Sequence, residues 1–177
     1  SDLKNLAGRL DKEFQGFQQS AQKFQTDAKS AYEAREARFK NQFLPAAKHI
    51  ADIARPRLEL LTERFKSGVE VVPVVTEHQR EVTLKFNSPL ARVDLRFRLG
   101  HDAEVKNLVL EQDLEILPIL MKFDSHDSLT VPLDKIDDET IANWLDERIV
   151  NFVQTVAAIH QNQYYLKAHL VTDPVAN

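Results

Sequence analysis

The chain has 177 residues, 43% hydrophobic and 28% charged, the balance of a globular protein, and only four glycines. It contains no cysteine, which excludes disulfides, thiolate catalysis and cysteine-based zinc or iron–sulfur centres from this chain. The net charge of −4 divides into +4 over residues 1–67 and −8 over residues 68–177, and the acidic remainder argues against nucleic acid as a partner.

No apolar run approaches the ~20 residues of a membrane span, and no secretory signal pattern is present. A soluble protein of the cytoplasm, without a membrane partner, is therefore expected.

The first segment, Asp2 to Leu44, reads as a long helix. Leu3, Leu10, Phe17, Phe24 and Ala31 repeat every seventh residue, and Ala7, Phe14, Ala21 and Ala28 each follow four residues later. This is an apolar seam of coiled-coil type, sustained for about four heptads. Small alanines beside large phenylalanines suit close packing against another helix. Pro45 is expected to end or bend the segment, because the residue before a proline is pushed away from helical angles. A second helix over Pro45 to Lys66 presents Ile50, Ile53, Leu58, Leu61 and Phe65 on one face, with Pro56 inside it and Ser67-Gly68 as its stop. Residues 1–67 thus form a helical segment with two readings. One is an antiparallel hairpin that buries the seam; the other is a single bent helix whose seam pairs with a second subunit.

From Val69 the period changes to two. Val69–Val75 contains Pro73, which cannot donate to a ladder and predicts an edge strand. Val82, Leu84 and Phe86 alternate with charged or polar residues, as do Val93, Leu95, Phe97 and Leu99. Val105–Leu110 and Leu114–Phe123 extend the pattern, and Asp124–Ser128 reads as a linker. One face of every strand is apolar and the other charged, the signature of an antiparallel meander covered on one side. The cover is a helix over Asp137–Leu166. Asp137 can cap it, and Ile141, Leu145, Ile149, Phe152, Val156 and Ile159 share one face, which Trp144, Val153, Ala157, His160 and Tyr164 widen. Residues 68–166 form this unit of antiparallel sheet and C-terminal helix, and residues 167–177 a tail.

No catalytic motif emerges, and the expectation leans away from an enzyme. The six histidines make no HxxxH or HExxH pair, so no metal site and no cofactor is expected. His101-Asp102 and His126-Asp127 fall in predicted turns, where such residues are ordinarily solvated. Trp144, His160 and Tyr164 could line a pocket between the long helix and the sheet, although a histidine and a tyrosine at the core edge with ordinary hydrogen bonds are the simpler explanation. Arg92, Arg96 and Arg98 alternate on the exposed strand face and could grip an anion. Glu81 and Asp94 share that face, so cross-strand ion pairing explains the arginines as well. Asp52, three residues after His49, can reach it on a helix without making a catalytic site.

At the C-terminus, Val171-Thr172-Asp173-Pro174-Val175-Ala176 resembles the opening of YHS-type domains, small metal-associated modules that begin Asp-Pro-Val-Cys-Gly. Asp173, Pro174 and Val175 match, while Ala176 and Asn177 stand where the cysteine and glycine would be. The resemblance implies the region upstream of a degenerate YHS-type domain in a bacterial protein, with the tail as the start of that next domain.

These readings make the fold α+β: a long N-terminal helix or helical hairpin, an antiparallel meander of four to five strands, and a long C-terminal helix packed on the sheet. The functional expectation is a non-catalytic assembly module that forms a homo-oligomer through residues 1–44. The alternative is a small-molecule-binding domain with its pocket beneath the 137–166 helix.

Overall fold

Helical periodicity over the first third of the chain, strand alternation over the middle and helical periodicity again at the end become three blocks of structure. A computed structural model describes residues 1–89, 91–118 and 123–172, with the side chains of the last helix described as far as Gln161. Helix α1 (Asp2–Arg38) passes through a single π-helical turn (Phe39–Phe43) into α2 (Leu44–Phe65). Strands β1 (Val69–Val75), β2 (Arg80–Asn87), β3 (Ala91–His101), β4 (Asn107–Pro118) and β5 (Phe123–Pro132) follow, and α3 (Asp138–Thr172) closes the order. The fold is α+β.

The hairpin is not formed. Helix continues from Asp2 to Phe65 because the chain absorbs Pro45 without breaking. In the π turn the Leu44 N–H bonds to the Phe39 carbonyl, one residue further back than in an α-helix. That shift re-registers the ladder immediately before the proline, and Pro45 then occupies the first turn of α2, where a missing N–H costs little.

The helix stops at Phe65, as Ser67-Gly68 suggested, but the residue that takes the unusual backbone is Lys66, at φ 57° and ψ −116°. Glycine adopts such angles freely and lysine does not.

The five strands form one sheet in chain order, every pair antiparallel. β1, with Pro73, is at an edge as expected. Val93, Leu95, Phe97 and Leu99 of β3 point to one face with Leu84 and Phe86 of β2 and Leu108, Leu110 and Leu114 of β4, and all are buried. α2 and α3 lie on that face. Ala46, Ala47, Ile50 and Leu61 of α2 and Ile141, Leu145, Phe152 and Val156 of α3 complete the core. Phe65 bridges the two helices to the sheet, its ring 6.0 Å from Phe152 and 5.7 Å from Phe86.

α3 begins where the capping argument placed it. The Asp137 carboxylate accepts from the Glu139 N–H and from the Thr140 hydroxyl. The apolar stripe is narrower than the sequence suggested: Val153 is 38% exposed, and Ala157 and His160 are exposed too.

Residues 124–128 are the first half of β5 rather than a linker. Two of them, His126 and Asp127, find ionic partners across the sheet and below it, which apolar alternation does not report. His126 Nδ1 lies 2.6 Å from Asp113 Oδ1 on β4. On the helix side, Asp127 Oδ2 lies 3.1 Å from Arg148 Nε of α3, an ion pair whose N–H is not aligned as a hydrogen bond. The residues of the YHS-like resemblance from Asp173 onward lie outside the described residues.

Candidate functional site

α1 stands apart from everything else. At 1.5 Å per residue its 37 residues span ~55 Å, and none of them is buried. The heptad pattern that predicted a packed seam is a line of exposed side chains: Leu3 is 78% exposed, Leu10 47%, Phe14 63%, Phe17 71% and Phe24 74%. Among the described residues nothing in the chain folds back over them. Monomeric proteins seldom leave so many large apolar groups contiguous and open to water, and such a surface ordinarily meets another protein. The two glycines of α1, Gly8 and Gly16, lie on its outer face, away from the seam, with open space around them.

The base of α1 is fastened to the α/β body by a collar. Arg38 donates from Nε and Nη2 to the Glu104 carbonyl at 3.0 and 2.6 Å, and Arg35 lies 3.7 Å from the Glu104 carboxylate. Just beyond, Phe39 and Phe43 are buried, and the rings of His78 and His101 pack against them. The Asp102 carbonyl can only accept, so His101 Nδ1 carries a hydrogen and donates to it at 2.7 Å. On the other side of the ring, His101 Nε2 lies 2.9 Å from His78 Nδ1.

The Asp102 carboxylate organises the β3–β4 turn below. Burial pushes this carboxyl up, but hydrogen bonds from the Asn107 side chain and from the Asn107 and Lys106 N–H groups, with the nearby His101, hold it below the usual carboxylate range. The turn also carries Val105, buried at φ 54°. π turn, aromatic cluster and turn together fix how the rod leaves the body.

A second concave feature lies between α2 and the β1 edge of the sheet. It is an apolar groove of about 610 Å³, walled by Ala51, Ala54 and Leu58 on α2 and Val71 and Pro73 on β1, with Phe97 and Leu99 among its lining. Only Leu145 and Ile149 reach it from α3. Lys48 stands among its polar lining residues.

The residues singled out as a pocket do not converge. Trp144 is buried against Phe97, ring centroids 6.1 Å apart, with the Arg148 guanidinium 5.4 Å from its ring centroid. His160 is exposed and packs its ring 5.3 Å from Phe86, four turns or ~24 Å further along α3. The Tyr164 side chain lies outside the described residues.

The arginine face is an ion-pair lattice. Arg98 faces Glu111 across the strands and reaches Asp113 at 2.7 Å, and Arg96 lies 3.2 Å from Glu81. Arg92 lies 3.3 Å from Asp94 and 3.7 Å from Glu115, two carboxylates directly opposite each other that its charge reconciles. An anion at this face would have to displace those carboxylates.

His49 does not pair with Asp52. Its Nε2–H donates at 2.8 Å to the carboxylate of Asp138, at the start of α3, while Asp52 holds Arg55. With Arg57 and Asp146, 2.7 Å apart, these contacts staple α2 to α3. Both the groove and the collar escaped the sequence reading. The pairing of α2 with the β1 edge and the π turn that brings Phe39 beside His78 both depend on tertiary placement. The available signal was the run of small residues on one face of α2, Ala47, Ala51 and Ala54.

No family model matches the sequence, and no curated protein matches it. Among solved structures, the chain is similar to the homodimeric actin capping protein alpha subunit from Plasmodium berghei, at 9% identity and a TM-score of 0.35. The match covers 67% of this chain, which spans half the length of that one, and so distant a likeness carries no argument about fold or function. Among the described residues no helix is long and apolar enough to cross a membrane.

Proposed function

We propose that the chain is an assembly module that self-associates through α1, with the α/β body as the head that α1 carries. The observation that supports this reading is the exposed seam: Leu3, Leu10, Phe14, Phe17 and Phe24 at coiled-coil spacing on a helix with no buried residue. Helices in water gain most of their stability from packing an apolar face, and α1 has no such contact within its own chain among the described residues. Pairing supplies it.

Hydrogen exchange tests the reading. Amide protection across residues 5–30 is expected to rise with protein concentration, while that of β3 and β4 stays constant. Protection in α1 that is independent of concentration would contradict it.

The groove favours a second reading, a site for a small apolar molecule with an anionic head, the tail between α2 and β1 and the head near Lys48. Its volume of about 610 Å³ and its aliphatic lining support this. Dodecanoate is the probe: uptake by the wild-type chain in calorimetry is expected, with at least a tenfold loss in Ala51→Phe, whose ring would fill the groove. Equal uptake by the variant, or none by the wild type, would sink the idea.

A further inference from the structure

Self-association through α1, on which this inference rests, leaves the direction and register of the pair to be fixed, and the sizes of the seam residues fix them. The seam has two rows. One runs Leu3, Leu10, Phe17, Phe24 and Ala31; the other runs Ala7, Phe14, Ala21 and Ala28. The first is mostly large and the second mostly small, with Phe14 the exception. We propose that the partner of α1 is α1 of a second copy of this chain, running antiparallel. In this register Leu3 faces Ala28 of the second copy, Ala7 faces Phe24, Leu10 faces Ala21, and Phe14 meets Phe17 at the two-fold axis.

Antiparallel coiled coils place one row opposite the other, whereas parallel in-register pairs place each residue opposite itself. Here the parallel pair stacks Phe14, Phe17 and Phe24 each against its own copy and leaves hollow alanine layers at Ala7, Ala21 and Ala28. A seam that is crowded in some layers and empty in others cannot hold two helices at one spacing. The antiparallel register sets a large side chain against a small one in every layer but the central two.

Sliding it by a heptad loses the match. In one direction Leu3 meets Arg35 and Phe14 meets Phe24; in the other Leu10 meets Phe14 and the overlap shrinks to residues 3–21, leaving Phe24 outside it. Flanking charges favour neither direction: antiparallel, Asp11 meets Gln18 and Glu13 meets Ser20, and parallel, they meet Leu6 and Gln18.

The area suffices. Phe14, Phe17 and Phe24 are 63%, 71% and 74% exposed. At roughly 150–250 Å² for each ring, the six of a pair offer on the order of 800 Å². Leu3, Leu10 and the facing alanines carry the total past the ~1,200 Å² at which stable, specific interfaces begin. The pairing places the two α/β bodies at opposite ends of a rod, their collars roughly 70 Å apart at 1.5 Å per residue.

Because the chain has no cysteine, introduced ones report cleanly. Full-length Ala21→Cys and Leu10→Cys chains, mixed and oxidised, are expected to form a disulfide-linked pair, while Ala21→Cys or Ala7→Cys oxidised alone stays unlinked. A spin label on Ser30→Cys, off the seam, covers the case in which a seam cysteine weakens association. Its expected distance to the second copy is ~45 Å antiparallel, against about 20 Å or less for a parallel pair. A chain that dimerises by light scattering but links Ala21→Cys to itself, or gives the short distance, overturns the antiparallel register and leaves self-association standing. A chain that stays monomeric, with neither cross-link nor dipolar coupling, overturns both.

Discussion

Replacing Phe14, Phe17 and Phe24 together by glutamine is expected to weaken self-association by at least about a thousandfold, or ~4 kcal/mol, while leaving the α/β body folded. Each phenylalanine is more than 60% exposed in the single chain, so its removal takes nothing from the intramolecular core. In the pair each covered ring contributes roughly 1.5–3 kcal/mol, and six are lost at once. The sum is not additive, which is why the expectation is set at the lower figure. Glutamine keeps the helix-forming preference of α1, so the variant separates loss of contact from loss of helix. Gln15→Ala with Gln22→Ala, on the outer face, is the control and is expected to leave association unchanged. Sedimentation equilibrium reads both. A triple variant that associates as tightly as the wild type would remove the seam from the interface.

Phe152→Ala is expected to cost about 3–5 kcal/mol of stability. Phe152 is fully buried in α3 and its ring meets Phe65 of α2, which in turn meets Phe86 of β2. Truncation therefore opens a cavity where both helices and the sheet meet. Domains of this size hold ~5–15 kcal/mol in all, so the variant should unfold at markedly lower urea. The adjacent Val153, 38% exposed, is expected to change stability by less than about 0.5 kcal/mol as Val153→Ala. Equal costs at the two positions, measured by urea unfolding of the seam variant to keep association out of the reading, would mean that α3 does not pack as described.

The two predictions rest on parts of the chain that were unequally legible in its sequence. α1 was legible because seven-residue spacing survives whatever the rest of the chain does, and the meander because Val93, Leu95, Phe97 and Leu99 alternate without interruption. The Asp137 cap was legible for the same local reason. What failed were judgements that needed a neighbour. Pro45 left an end and a bend both open, and the bond from Leu44 to Phe39, which re-registers the helix before it, decides for continuation. In the first half of β5, His126 and Asp127 have ionic partners, Asp113 and Arg148, which apolar alternation does not report. Val153, Ala157 and His160 look like part of a wide apolar stripe on a helical wheel, yet the covered stripe of α3 is narrower. Trp144 and His160 share a flank of α3 but are separated by four turns, so one face did not make one pocket. The arginines of β3 carried two readings that only the positions of Glu111, Asp113 and Glu115 on the next strand could weigh.

The measurement that bears most directly on the central claim is the molar mass of the intact chain in solution by light scattering, taken as a concentration series. Assembly through α1 predicts a rise from 20.3 kDa toward twice that value, with the triple phenylalanine variant remaining at 20.3 kDa. A wild-type chain that stays at 20.3 kDa up to several hundred micromolar would contradict the account.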